Sequence, residues 1–261
     1  MTASSTVKAV GTMSLSVAGK YAVITGAGSG INLAFARLLL EKGCSVMIGD
    51  LALRPEAQQL LEQYPHPQPG SSDNNDTNRP SALFQETNVA SWPSLSRLWS
   101  SALSYFPRID IVVPGAGLFE PAWSSFWHAP KTESNPDSES RDAADADPGS
   151  AVAPGAVMKE TVADGRLQTP MWSEDPGKKH MTQGEGVELF LEPGEVARGM
   201  LELCENPEYG NGTILEVSKG ATRVVPLYRA GPPSGVGVVL PRLAENAEKV
   251  WKKLEGPGLK I

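Results

Sequence analysis

YAVITGAGSGINLAFARLLLEKGCSVMIGD, residues 21–50, is the stretch of sequence that decides the fold. Its short apolar start, Tyr21–Ile24, runs into a glycine-rich turn, Thr25–Gly30. The apolar residues that follow recur at the spacing of one helical face, and they are Ile31, Phe35, Leu38 and Leu39. Gly43 then ends the helix, and Ser45–Gly49 is a second, mostly apolar run. The stretch therefore predicts a strand, a glycine turn, a helix and a second strand, which together make a βαβ unit.

The glycine turn and the acid that closes the second strand together predict a dinucleotide site. Glycines accept a positive φ and let an anion approach the backbone, while N–H groups at a helix start attract a pyrophosphate. Asp50 lies 20 residues after Gly30, a spacing at which a carboxylate can bind both ribose hydroxyls of NAD. Because the same charge would repel the 2′-phosphate of NADP, NAD is the expected cofactor. The alternative is a glycine turn that merely joins a strand to a helix.

Thr25–Ile31, with the sequence TGAGSGI, resembles the TGxxxGI turn of the short-chain dehydrogenase/reductases, and the chain is similar to their hydroxyprostaglandin-dehydrogenase-like branch. The resemblance covers residues 19–117 and 151 to about 228, and it implies an α/β fold with a Rossmann-type doubly wound parallel sheet. Asn32 stands where the family turn has a third glycine, and its side chain is expected to crowd the helix against the strand. Pro114–Gly117 resembles the family's NNAG turn with both asparagines replaced, which puts an anchor between strands in question.

The same resemblance implies which residues would contact the cofactor. Asn88 stands at the end of the third strand, where the family has an acidic residue against the adenine. Pro154–Val157 resembles the family's PGxV turn on the nicotinamide side. Because Met158–Gln168 look inserted, the threonine that follows this turn in the family is matched by Thr169, with Thr161 as the alternative. The implied cofactor-binding residues are Gly26, Ser29, Gly30, Ile31, Asp50, Asn88, Val89, Ala116, Gly117, Pro154, Gly155, Val157 and Thr169.

The resemblance also implies a reaction, hydride transfer between NAD(H) and a small-molecule secondary alcohol or ketone. The family performs it with a tyrosine and a lysine at i and i+4, which share one helix face. None of the five tyrosines here is followed four residues later by lysine, so no catalytic residue is assigned. The family's two strand and helix units between residues 117 and 151 are also missing, so the sheet is expected to be incomplete. The alternatives are a catalytically inactive NAD-binding or interaction protein, or a mis-spliced product of such an enzyme gene.

Domain organisation follows from the polar stretches. Residues 1–18 are expected to be a disordered leader, and residues 19–261 a single NAD-binding Rossmann-type domain with loop insertions at 64–81 and 120–150. The expected helices after residue 50 are Pro55–Gln63 and two that begin at Pro93 and near Glu192. The expected strands are Ala82–Val89, Ile109–Val113, Ala151–Val157 and Thr213–Val217, with an apolar extension at Arg223–Leu227. Ile109–Val113 is predicted to be buried on both faces, and the helix from Pro93 to bury Leu95, Leu98, Trp99, Ala102 and Phe106.

Composition excludes several classes of function. A net charge of −7 with a pI near 5.1 argues against nucleic-acid binding. The two cysteines and three histidines lack ligand spacing, so no metal is expected. No apolar run has the length of a membrane span, and the leader lacks targeting features, so a cytoplasmic protein is expected. The oligomeric state and the substrate are left open, because the family's usual interface helices are missing and the pocket comes from variable loops.

Overall fold

The structure is a computed structural model, and it describes residues 16–67, 79–117, 160–163, 169–170 and 190–229, together with residues 231, 248 and 252. Its strands are β1 (Tyr21–Thr25), β2 (Ser45–Asp50), β3 (Ala82–Glu86), β4 (Ile111–Pro114), β5 (Glu160–Ala163), β6 (Ile214–Ser218) and β7 (Ala221–Val225). Its helices are α1 (Gly30–Glu41), α2 (Pro55–Gln63), α3 (Trp92–Tyr105) and α4 (Pro193–Glu205).

The first four strands form one parallel sheet in the order β3-β2-β1-β4. Val23 of β1 pairs with Met47 of β2 on one side and with Val112 of β4 on the other. The chain moves outward from β1 to β3 and then crosses to the opposite side of β1. The strand order therefore reverses between β1 and β4, as it does in a Rossmann-type fold. This arrangement confirms the predicted fold class.

Helices cover both faces of this sheet because alternate residues of β1 and β2 point in opposite directions. Ile24 and Ile48 face α1 and α2, where they join the largest core cluster with Phe35, Leu39 and Leu60. Val23 and Met47 face α3 and pack with Leu98, Ala102 and Phe106. The strands are consequently almost continuous apolar runs, as expected of parallel strands buried on two sides.

A second, three-stranded sheet follows in the order β5-β6-β7. Thr161 of β5 pairs in parallel with Leu215 of β6, whereas Glu216 of β6 pairs with Arg223 of β7 in an antiparallel hairpin. α4 connects the two halves of the molecule, since Ala197 and Leu201 belong to the same core cluster as α1. Its Val196 packs instead with Leu191 and Val217.

Four predicted boundaries or assignments differ from the structure. The third strand ends at Glu86 rather than Val89, because Thr87 donates its hydroxyl to Gln85 O and the Oδ1 of Asn88 accepts the N–H of Ala90, which turns the chain. Val17, which the prediction placed in the leader, is fully buried in the main core. The predicted extension at Arg223–Leu227 is strand β7, and the predicted insertion Met158–Gln168 contains strand β5.

Two predicted burial patterns are wrong. β4 was expected to be buried on both faces, yet Val112 is 54% exposed, because β4 lies at the sheet edge within the described residues and its outward face has no helix over it there. Trp99 was expected on the buried face of α3 and is 46% exposed. The buried positions of α3 are Ser94, Leu98 and Ala102, a face set by the hydrogen bond from Asn88 N to the Ser94 hydroxyl.

Candidate functional site

The glycine turn after β1 lies at the carboxyl end of the parallel sheet, where the strand order reverses. Gly26 has a φ of +71°, and its N–H donates to Gly49 O at 2.8 Å. A Cβ added to Gly26 would lie 2.6 Å from the Cα of Ala116. No side chain can be accommodated there, because both the backbone angle and the neighbouring turn exclude it. The positive φ of Gly26 was predicted, and its lack of a side chain also lets the turns after β1 and β4 come together.

The first turn of α1 offers backbone donors to an anion. The first hydrogen bond of the helix runs from Leu33 N to Ser29 O at 3.3 Å, so the N–H groups of Gly30 and Ile31 have no acceptor within the helix. The Ser29 side chain makes no capping bond, and no acidic residue occupies the first turn. The positive end of the helix dipole is therefore not offset by the helix's own side chains, which suits a phosphate group.

Asp50 is in direct contact with this turn. Its Oδ2 accepts the N–H of Gly28 at 2.7 Å, and its Oδ1 accepts the N–H of Leu51 at 2.7 Å. A side chain at position 28 would prevent this approach, because a Cβ there would lie 2.8 Å from the Asp50 Oδ2 and would overlap Ala52 O. Each carboxylate oxygen has a second lone pair, so Asp50 can still accept two hydroxyl groups. The acid and the turn are placed together as the spacing predicted.

The turn after β4 is joined to the glycine turn by two side chains. The Thr25 hydroxyl accepts the N–H groups of Gly115 and Ala116 at 3.1 and 3.2 Å and donates to Val113 O at 3.4 Å. Asn32 donates its Nδ2 to Gly115 O at 2.8 Å and to Thr25 O at 3.3 Å. Asn32 was expected to crowd the helix against the strand. Instead it bridges the two turns, and sequence reasoning did not assign it this role.

The sequence contains two departures from the family pattern that, taken together, point to this role of Asn32. An asparagine stands at the helix position where the family pattern has a glycine, and a glycine stands at position 115 where that pattern has an asparagine. The structure brings these two positions into contact. The missing asparagines of the 114–117 turn put a link between strands in question. A link to that turn is instead made by Asn32, from the first turn of α1.

Asn88 and Val89, expected near the adenine, lie beside the carboxyl ends of β2 and β3. Both are exposed at the surface, and Asn88 lines a cavity of about 370 Å³. The other residues that line this cavity are Leu51, Gln85, Glu86, Ser91, Ser94 and Arg97. Asp50 borders the same region, since its backbone oxygen accepts the N–H of Thr87 at 2.8 Å. Asp50 and Asn88 therefore lie at the same edge of the sheet, at the carboxyl ends of β2 and β3.

The structure separates the two candidate threonines. Thr169 is 9% exposed, and its Cγ2 lies 3.6 Å from the place where a Cβ of Gly30 would be. Thr161 lies in β5, where its partner is Leu215. Thr169 is therefore the candidate that contacts the glycine turn. Gly117 lies at the surface just beyond Ala116, and the remaining predicted positions, Pro154, Gly155 and Val157, lie outside the described residues.

Two of the described tyrosines have surroundings unlike those of a family general acid. All five tyrosines of the chain are among the described residues. Desolvation and the 2.9 Å hydrogen bond from its hydroxyl to Glu202 raise the pKa of Tyr209, whereas the family's chemistry needs it lowered. Tyr21 begins β1 and therefore lies at the opposite end of that strand from the glycine turn. Arg108 lies over its ring and bonds to Asp110, which also accepts the N–H of Tyr21.

Two other classes of site were searched for in the described residues. No group of three or more His, Cys, Asp or Glu side chains there is arranged to hold a metal ion. Within the same part of the chain, no helix combines the length and apolarity that crossing a membrane requires.

Comparison with known proteins points to the same segment. Residues 20–137 match the family model described as short chain dehydrogenase. This part of the chain is therefore similar to short-chain dehydrogenases. It is 35% identical over 103 residues to cis-4-hydroxycyclohexanecarboxylate dehydrogenase of Sinomonas cyclohexanicum, covering 39% of this chain and 36% of that protein. It is 32% identical over 108 residues to the hydroxynaphthalene reductase-like protein Arp2 of Metarhizium guizhouense, covering 41% of this chain and 36% of that protein. The chain thus spans little more than a third of these curated relatives.

Solved structures resemble a larger share of the chain than residues 20–137. A 3-ketoacyl-(acyl-carrier-protein) reductase from Brucella melitensis complexed with NADH has a TM-score of 0.52 at 18% identity, over 78% of this chain and 99% of that one. A short-chain dehydrogenase/reductase described as glucose/ribitol dehydrogenase, also from Brucella melitensis, has a TM-score of 0.51 at 17% identity, over 76% and 94% of the two chains. At these identities the likeness concerns the fold alone.

Proposed function

We propose that this chain binds a nicotinamide dinucleotide, with NAD(H) preferred over NADP(H), at the carboxyl end of its parallel sheet. The observation that carries the proposal is the contact between Asp50 and the glycine turn, at 2.7 Å from Oδ2 to Gly28 N, where the strand order reverses. A carboxylate at this place favours two ribose hydroxyls and repels a 2′-phosphate. The family match over residues 20–137 supports the same cofactor class.

Each part of the dinucleotide has candidate partners in this chain. The pyrophosphate would be held by the N–H groups of Gly30 and Ile31 and by the turn between Gly26 and Ser29. Asp50 would hold the adenosine ribose, with Asn88 and Val89 beside the adenine. The nicotinamide side would be formed by Ala116, Gly117 and Thr169, together with Pro154, Gly155 and Val157.

The reaction proposed for the chain is hydride transfer between nicotinamide and the carbon of a secondary alcohol or ketone. The bound cofactor would supply or accept the hydride, while a residue of the chain would have to exchange a proton with the substrate oxygen. Dehydrogenases and reductases among the relatives support this class. The absence of a Tyr-x-x-x-Lys pair from the whole sequence favours a second candidate, a protein that binds NAD(H) without turning over a substrate.

Substitution of the acid tests the binding proposal. We expect Asp50→Asn to weaken NADH binding by roughly tenfold, because the charged acceptor of two hydroxyls is lost while Gly28 N keeps a neutral acceptor. Fluorescence titration of NADH measures this change. Glu62→Gln, which removes an equal charge from the exposed end of α2, is the matched control. A wild-type chain that binds neither NADH nor NAD at millimolar concentration would overturn the proposal.

The preference between cofactors is tested with the same variants. Wild type should bind NADH more tightly than NADPH, and Asp50→Asn should narrow the ratio of the two dissociation constants because the repulsion of the 2′-phosphate falls. Equal affinities of wild type for the two cofactors would show that Asp50 does not discriminate between them.

Turnover separates the two candidate functions. The purified chain is incubated with NADH and a panel of ketones, or with NAD and a panel of secondary alcohols, and absorbance is followed at the nicotinamide band. Oxidation or reduction of the cofactor supports the oxidoreductase, whereas tight binding with a flat trace across both panels supports the silent NAD-binding protein. Sequencing the transcript tests the mis-splicing alternative, because an encoded Tyr-x-x-x-Lys segment between Ser150 and Ala151 would establish it.

A further inference from the structure

We propose that Asn32 is a positioning residue of the nucleotide site, and that its side chain takes the place of the side chain that residue 115 lacks. The inference rests on the proposed function, because the two turns that Asn32 joins are the ones assigned to the dinucleotide. It goes further by assigning a role to a residue outside the predicted set. Asn32 and Gly115 form one unit, the Asn32–Gly115 pair.

Space is the first argument for this pair. A Cβ added to Gly115 would lie 2.7 Å from Cγ and 2.8 Å from Oδ1 of Asn32 and would overlap its Nδ2. The φ of Gly115 does not fall in the left-handed region, so the backbone itself would accept another residue. A side chain at position 115 would therefore displace the Asn32 amide from the place where it makes its two hydrogen bonds.

Hydrogen bonding is the second argument. The Thr25 hydroxyl already uses its one proton for Val113 O and both lone pairs for Gly115 N and Ala116 N, so it cannot also serve Gly115 O. The Asn32 Nδ2 donates to Gly115 O at 2.8 Å. With Thr25, Asn32 therefore ties both the donor and the acceptor of the Gly115 backbone to the glycine turn.

The position of β4 explains why such a tie matters for binding. Within the described residues β4 is paired with β1 alone, so the turn that follows it has no second strand to hold it. Ala116 nevertheless comes so near to Gly26 that a Cβ on Gly26 would lie 2.6 Å from the Ala116 Cα. The two turns meet where the strand order reverses, and the Asn32 amide joins them from the first turn of α1.

An exchange of the two residues tests the proposal. We compare wild type, Asn32→Ala, Gly115→Asn and the combined variant Asn32→Ala/Gly115→Asn. Each is measured for NADH affinity by titration and for urea unfolding without nucleotide. Gln59→Ala, which removes an exposed amide from α2, is the control. Gly115→Ala, alone and combined with Asn32→Ala, replaces the larger change if Gly115→Asn does not fold, because its Cβ alone meets the Asn32 amide.

The expected result is rescue by the exchange. Asn32→Ala should weaken NADH binding roughly tenfold, and Gly115→Asn at least as much, whereas the combined variant should return to within about threefold of wild type. The urea midpoints should follow the same non-additive pattern. A merely structural role would lower the urea midpoint of Asn32→Ala and leave the NADH affinity of the folded variant at the wild-type value, which would overturn the positioning role.

The failures of the two proposals are distinguishable. Losses that add in the combined variant, in a chain that binds NADH, overturn the role of Asn32 and leave the proposed function standing. A wild-type chain without NADH affinity overturns the proposed function. The positioning role of Asn32 is refuted by that result as well. The urea midpoints of the four variants then report only whether the Asn32–Gly115 pair stabilises the fold.

Discussion

At the residue scale, the proposed cofactor site is held together by polar side chains that bond to the backbone of glycine-containing turns. Asp50 and Asn32 both contact the backbone of a glycine-containing turn, and each is placed by a regular element rather than by a loop. Asp50 ends a strand that is buried along its length, and Asn32 lies in the first turn of α1. Side chains fixed in this way lose little additional freedom when a ligand binds, which favours affinity.

Cys44 gives a prediction about pH. Burial above all, with the nearby charges of Asp110 and Cys204, raises the pKa of the Cys44 thiol from 9.0 to about 12. A group whose pKa is higher in the folded state contributes stability that is fully present below 9.0 and is lost as the pH rises toward 12. We therefore expect the free energy of unfolding to fall over this interval, and to fall less steeply in Cys44→Ala. Urea unfolding at a series of alkaline pH values measures the slope.

Cys204→Ala is the control for Cys44, since it removes the half-buried thiol and leaves the buried one. At pH 8 iodoacetamide should label Cys44 only after unfolding, because the thiolate is the reactive form. Rapid labelling of native Cys44, or identical alkaline slopes in wild type and Cys44→Ala, would contradict the assigned burial.

Residues of the candidate site could be predicted where their separation in the sequence determines whether they meet in the structure. The interval between Gly30 and Asp50 predicted that acid and turn would meet, because a βαβ unit fixes where its two strands end. The role of Asn32 was not predictable in the same way. Its partner is 83 positions away, and the contact depends on how closely two turns approach, which no local pattern records.

At the element scale, α4 is held at its start by Glu195. The carboxylate accepts the N–H of Glu192 at 3.0 Å and the Nζ of Lys219, in the β6–β7 turn, at 2.9 Å. Burial opposes ionisation of Glu195, but these bonds outweigh it and lower its pKa. The helix that connects the two halves of the molecule is thereby fastened to the hairpin as well.

Glu195→Gln should destabilise the protein by about 1 kcal/mol, since both a helix-start bond and a partly exposed ion pair are weakened. A carboxyl with a lowered pKa in the folded state contributes stability above its ordinary pKa and loses it as the pH falls through the lowered one. The difference between wild type and Glu195→Gln in urea unfolding should therefore shrink below about pH 4. Glu208→Gln, an exposed acid beyond the end of α4, is the control and should show no such difference.

Helices and strands were predicted correctly where the spacing of apolar residues was clear. They were predicted wrongly where tertiary packing decides which residues are buried or paired. α2 was predicted residue for residue, because proline marks its start and no other element competes for its face. The buried face of α3 was misjudged at Trp99, since Ser94 is drawn inward by a backbone hydrogen bond that sequence does not reveal. β5 was missed because Glu160–Ala163 has no distinct apolar pattern and is defined by its pairing with β6.

At the scale of the whole molecule, the sheet ends in an apolar edge within the described residues. β4 presents Val112, 54% exposed, and edge strands of this kind pair with other chains. We expect Val112→Lys to lower concentration-dependent self-association, measured by light scattering, while the free energy of unfolding changes by less than about 1 kcal/mol. Leu227→Lys adds the same charge at an exposed residue outside the strands and serves as the control. Equal effects of the two variants would show that charge, rather than the edge, is responsible.

The fold as a whole was predictable because one βαβ unit constrains its neighbours. Given a parallel pair, a third and a fourth strand have few places to go, and the order β3-β2-β1-β4 is the one that right-handed crossovers produce. The β5-β6-β7 sheet was less predictable, since hairpin and crossover connections compete when strands are short. The position of β5 in this sheet depends on its pairing with β6, which is distant in the sequence and which local patterns do not reveal.

The shared packing of α1 sets a limit on how small a working version of this protein can be made. Every motif of the glycine turn and of Asp50 lies before residue 118, which invites truncation to a minimal cofactor module. Such a fragment would strip Ala197 and Leu201 of α4 from the apolar layer around α1 and leave that layer open to water. The proposed nucleotide-binding half therefore extends beyond its motifs. A fragment cut after residue 117 would keep those motifs but lose the α4 side chains that cover α1.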